Sequence, residues 1–88
     1  MPLQVIKRDS SVEDFDQDKI ARVVTAAGLK PSDGLELALK IGRWTQSLGK
    51  PQVTTYAIRG KIIEELRKIN PTVAQFYSQY EKQKDAIA

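Results

Sequence analysis

The chain has no cysteine and no histidine. The first absence excludes a disulfide framework, a thiol nucleophile and a zinc ribbon, and the second excludes an imidazole general base. No stretch reaches the ~18 consecutive apolar residues of a membrane span, and the N-terminus lacks the apolar core of a signal peptide. A cytoplasmic location is therefore the expectation, with no membrane partner. Neither Gly-x-x-x-x-Gly-Lys-Ser/Thr nor Gly-x-Gly-x-x-Gly occurs, so both common phosphate loops are missing. Asp and Glu nowhere take calcium-loop spacing, and no nucleophile stands beside a base, so the expected number of metal ligands and of catalytic residues is zero. The protein is read as a non-enzyme.

What remains describes a small globular protein. Eighty-eight residues, 41% hydrophobic and 28% charged, make one domain over residues 1–88 with a modest core. At that size a bound ligand or self-association weighs on stability. The net charge of +3 suits a polyanion such as a nucleotide without demanding one.

Periodicity divides the chain into a short β portion and four helices. Residues 2–15 read as a hairpin, with Leu3, Val5 and Val12 to Phe15 as β-type positions around the polar turn Arg8-Asp9-Ser10-Ser11. A third strand is expected near 52–54, at Val53-Thr54. A helix over about 16–28 is capped by Asp16, carries Ile20, Val23, Val24 and Ala27 on one face, and ends at Gly28. A second, over about 33–48, starts near Ser32 or Asp33, aligns Leu37, Ile41, Trp44 and Leu48, and stops at Gly49-Lys50-Pro51. A third, over about 55–70, is capped by Thr54 or Thr55, aligns Ile58, Ile62, Leu66 and Ile69, and breaks at Asn70-Pro71. The last, over about 71–84, aligns Val73, Phe76, Tyr77 and Tyr80. The expected fold class is α+β, mainly α: a short hairpin or three-stranded β cap on a four-helix bundle.

The densest polar stretch runs from Lys7-Arg8-Asp9 through Glu13 and Asp16 to Lys19. A hairpin sets Lys7 and Arg8 beside the turn, and Lys19 falls in the first turn of the following helix, whose unpaired N–H groups favour phosphate. Three cations near such a site match a polyphosphate, lysine as a point charge and arginine as a planar fork. Each residue also has an ordinary explanation. Lys-Arg-Asp is common solvated turn material, Asp16 and Thr55 are cap residues, and Glu13 is an exposed strand carboxylate. Trp44, Phe76, Tyr77 and Tyr80 are expected in the core, while Lys61, Arg67, Lys68, Lys82 and Lys84 form a solvated face.

The order of these residues carries a resemblance. Val5-x-Lys7-Arg8-Asp9 followed by Phe15-Asp16-x-x-Lys19-Ile20 resembles the opening of the ATP-cone family, the regulatory domain of ribonucleotide reductase large subunits and of the ribonucleotide reductase gene repressor. Val53-Thr54-Thr55 before an Ile-rich helix looks like that family's strand-to-helix step, and Phe76-Tyr77-Ser78-Gln79-Tyr80 running on to Lys84-Asp85 is similar to the repressor's closing helix. The resemblance implies a site between cap and bundle for ATP or dATP, with Mg2+ accompanying the triphosphate. It implies that Lys7, Arg8 and Lys19 hold the phosphates and Thr55 adds a hydroxyl. Glu13 and Asp16 would lie near the adenine or ribose, the backbone of Val5 and Ile6 would line the base, and Lys82 or Lys84 would supply a last cation.

Two positions depart from the family pattern. Ser10 stands where glycine is usual, so a turn needing positive φ would be strained. Glu81 stands where the final helix usually has arginine. The reductase barrel, the zinc ribbon and the DNA-reading face of the larger relatives have no counterpart in these residues, so the expected regulated partner is another polypeptide, such as a ribonucleotide reductase, or a second copy of the chain. Two other readings remain open. One is a cone-fold protein-interaction module with a decayed nucleotide site. The other is a small basic nucleic-acid-binding protein, which the pI near 9.3 allows but the interleaving of acids with bases disfavours.

Overall fold

The computed structural model describes the backbone of residues 3–87 and the side chains of residues 3–80. The protein is a small α+β fold in the order β1 (Gln4–Ile6), β2 (Val12–Asp14), α1 (Gln17–Ala26), α2 (Pro31–Ser47), β3 (Gln52–Thr54), α3 (Thr55–Ile69) and α4 (Pro71–Ile87). The three strands form one sheet in the order β2-β1-β3, with β1 antiparallel to β2 and parallel to β3. Val5 faces Glu13 on one side and Val53 on the other. Cross-strand partners share a face of the sheet, so the carboxylate of Glu13 lies on the face where Val5 and Val53 are buried.

The β1–β2 turn is a three-residue loop. Ser10 N–H donates to the Lys7 carbonyl at 3.0 Å and Lys7 N–H to the Ser11 carbonyl at 2.8 Å. Such a loop requires a left-handed residue at its last position. Ser10 occupies it, at φ 71°, so the strain expected at this departure from glycine is present.

The described helix boundaries are set by local chemistry. The Asp16 carboxylate accepts the Lys19 N–H at 3.2 Å and caps α1. Gly28, at φ 119°, ends α1 with its N–H on the Thr25 carbonyl, while the Leu29 N–H reaches back to Val24; this is the double bond pattern that favours glycine. Helix α2 starts at Pro31, earlier than the Ser32 or Asp33 read from the sequence. Proline is well placed there, because the first helical position needs no N–H donor. Thr54 caps α3 through the Ala57 N–H at 3.1 Å. Asn70 is extended, as a residue before proline prefers, and its side-chain oxygen accepts the N–H groups of Thr72 and Val73 to start α4.

Helix α1 packs chiefly on α2 and α3 chiefly on α4, with lighter contacts between α2 and α3 and between α1 and α4. The core runs through Val24, Leu37, Ile41, Ile62, Leu66, Val73 and Tyr77. Not every expected core aromatic joins it. Phe76 and Tyr80 are 56% and 53% exposed; they border an open depression with Arg22, Val23 and Ala26 of α1 and its C-cap Ala27. Leu48 and Ile69 are also exposed, lying at or past the ends of α2 and α3. Trp44 is half-buried, with the Lys61 ammonium 5.9 Å from its ring centre.

Lys68, exposed as expected of a solvated face, and Lys61, only 21% exposed, converge on one carboxylate. Glu65 is only 3% exposed and pairs with Lys40 at 2.8 Å, Lys61 at 3.4 Å and Lys68 at 3.5 Å. The Lys40 ammonium, hydrogen-bonded to it, is the main reason its pKa falls from an ordinary 4.5 to about 2. Lys40 belongs to α2 and Glu65 to α3, so this pair ties the two helices together.

Candidate functional site

Two helices start directly from the sheet: β2 leads through Phe15 and Asp16 into α1, and β3 runs straight into α3. Their first turns therefore sit beside the strands, and two adjoining depressions form there. The first is a cleft of about 310 Å³ lined by β1–β2, α1, α3 and Tyr77 of α4. Its floor is apolar, made by Val5, Phe15, Ile20, Val23, Ile58 and Ile62. Its charged lining mixes three carboxylates, Glu13, Asp14 and Asp16, with Lys19 and Arg59. The second is a groove of about 450 Å³ lined by Ile6, Lys7, Arg8, Thr54, Thr55, Tyr56 and Arg59. Every charged residue of that lining is a cation, and it includes the first turn of α3, where unpaired N–H groups add partial positive charge. Thr55 and Arg59 belong to both depressions.

The residues singled out in the sequence divide between the two. Val5, Glu13, Asp16, Lys19 and Thr55 line the cleft, while Ile6, Lys7, Arg8 and Thr55 line the groove. Glu13 joins the two groups: its carboxylate lies 3.1 Å from the Lys7 ammonium and 3.8 Å from that of Lys19. Asp16, besides capping α1, stands 3.7 Å from Arg22. Asp9, between Arg8 and Ser10, serves the turn. The Ser11 hydroxyl and N–H both donate to its carboxylate, at 2.6 and 3.0 Å, and the hydroxyl bond above all holds its pKa below the ordinary value. The side chains of Lys82, Lys84 and Glu81 lie outside the described residues.

Sequence reasoning passed over Arg59, Asp14, Tyr56 and most of the apolar floor. A signal for Arg59 was present: it follows Thr55 by four residues on one helix, which places both on the same face. Ile58 and Ile62 lie on the stripe that the sequence sends to the core, and they are buried; they also line the cleft. Among the described residues, no group of Asp and Glu side chains is arranged to hold a metal ion, and no helix is long and apolar enough to cross a membrane.

The family model of the ATP cone domain matches residues 3–86. No curated protein matches the chain significantly. The match covers nearly the whole sequence, and the chain belongs to the ATP-cone family. That membership implies a nucleotide-binding regulatory domain, in a family whose effectors are ATP and dATP.

Proposed function

We propose that this ATP-cone domain binds one adenine nucleotide across both depressions, with the nucleoside in the apolar cleft and the phosphates in the basic groove. The observation that carries this reading is the division of charge between two spaces joined at Thr55 and Arg59. A purine ring gains from the apolar floor, where Phe15 and Tyr77 offer aromatic surface. Ribose hydroxyls are donors, and Glu13, Asp14 and Asp16 are acceptors at the rim. A triphosphate is repelled by those carboxylates and drawn to Lys7, Arg8, Arg59 and the start of α3. Lys19 lies at the boundary, and Lys82 is proposed as a further cation from α4. Magnesium enters on this reading with the triphosphate, as its counter-ion.

The domain acts as a sensor and carries out no reaction. Its output is a change in what it contacts, either a second copy of the chain or another protein, a ribonucleotide reductase being the first suspect by family analogy. Such a switch requires that the two assembly states differ in nucleotide affinity. The retained cations of the groove argue against a decayed site.

Titration of ATP into Lys7→Ala, Lys19→Ala and Arg59→Ala tests the assignment. Each substitution removes a charged contact and is expected to weaken binding by about 1.5–3 kcal/mol. Unchanged affinity in all three, with native circular dichroism, would remove the proposed site.

A further inference from the structure

Glu13 is the one acidic side chain that reaches both Lys7 and Lys19 among the described ion pairs, and it does so from the inner face of the sheet. All three side chains are close to half-exposed, so the pairs stand at the solvent boundary rather than deep in the core. An anion that uses these lysines must either share them with a fixed negative charge or push it aside. Sharing weakens binding by like-charge repulsion, and displacement weakens it by the loss of the two ion pairs.

We propose that Glu13 is a selectivity residue, an internal counter-anion that holds Lys7 and Lys19 against free polyphosphates and yields them only to a ligand that also fills the apolar cleft. This rests on the nucleotide reading given above and adds to it a reason for rejecting a particular ligand class. Tripolyphosphate offers charge alone, and repulsion from Glu13 offsets part of its attraction to the lysines. A nucleoside triphosphate adds burial against Val5, Phe15, Ile20 and Ile58, which compensates for displacing the carboxylate. Its sugar hydroxyls also give the displaced carboxylate new donors. The selectivity is thus built from a repulsive element as well as an attractive one.

The test is calorimetric titration of wild type, Glu13→Gln and Glu13→Thr with sodium tripolyphosphate and, separately, with ATP. The threonine variant suits a strand and guards against a loss specific to glutamine. The expected result is a gain in tripolyphosphate affinity of roughly tenfold in both variants, corresponding to about 1.4 kcal/mol. ATP affinity is expected to rise less or to fall, so the preference for ATP over tripolyphosphate narrows. Equal or weaker tripolyphosphate binding in both folded variants, or none in any protein, overturns the proposal. The tripolyphosphate arm judges Glu13 by itself. Wild-type protein that fails to bind ATP while both variants gain tripolyphosphate affinity would defeat the nucleotide reading and leave the counter-anion standing.

Discussion

Ser10 sits in a backbone conformation that its Cβ disfavours, whereas Glu65 sits among charges that favour its ionised form. Ser10 carries a Cβ in a left-handed conformation, φ 71°, which costs an ordinary residue about 1–2 kcal/mol. Ser10→Gly relieves that strain and loses part of the gain to the greater freedom of the unfolded chain. A net stabilisation of up to about 1 kcal/mol is expected in urea denaturation, and a loss of stability would mean that the serine side chain supports the turn. Glu65 is a buried carboxylate among three ammonium groups. Its folded pKa of about 2 lies below its ordinary 4.5, so its contribution to stability is complete above that ordinary value. The contribution is lost as pH falls from there toward 2. Glu65→Gln is expected to cost about 1.5–3 kcal/mol at neutral pH and to flatten the decline of stability in acid. A variant that follows the wild-type acid profile would place the acid sensitivity elsewhere.

Helix packing distinguishes glycines that look alike in the sequence. At Gly34 in α2, an added Cβ would come within 2.7 Å of the Thr25 hydroxyl and 3.3 Å of the Ala21 carbonyl oxygen. Helix α1 crosses there, and its backbone cannot yield as a side-chain tip can. At Gly60 in α3, apart from its chain neighbours and the adjoining turns of its own helix backbone, no atom among the described residues lies within 4 Å of the added Cβ. Gly34→Ala is therefore expected to destabilise by about 1–3 kcal/mol, and Gly60→Ala to stabilise by about 0.5–1 kcal/mol through helix propensity. Melting temperatures of the two variants check the opposite signs. The Asp16 cap, a cap at Thr54 or Thr55 and the break at Asn70-Pro71 were legible in the sequence because helix boundaries are set within three or four residues; Asn70 as the cap of α4 was not read from it. Burial of Ile58, Ile62 and Leu66 was legible because it follows helical period. Exposure of Phe76 and Tyr80 was hidden, since it depends on which residues of α1 stand opposite. Glu65 was hidden for the same reason: its partner Lys40 is on another helix.

For the whole molecule, the proposed site depends on the meeting of sheet and helices. Lys7 and Arg8 come from the hairpin, Lys19 from α1, and Thr55 and Arg59 from α3. Most of these residues were readable from the Lys-Arg-Asp and Phe-Asp-x-x-Lys-Ile blocks. The partition into an apolar cleft and a cationic groove was not, because it arises from the parallel pairing of β1 with β3 across 48 positions of sequence, as between Gln4 and Gln52. That pairing brings the start of α3 beside the hairpin. A ligand bridging the two spaces would hold sheet, α1 and α3 together, so saturating ATP is expected to raise the melting temperature, with gains following the dissociation constant. The most direct test of the central claim is isothermal titration of the intact protein with ATP, dATP and GTP in magnesium buffer. Saturable binding of ATP or dATP at one site, with GTP much weaker, is the expected result. No heat and no thermal shift with any of the three, from folded protein, would contradict it.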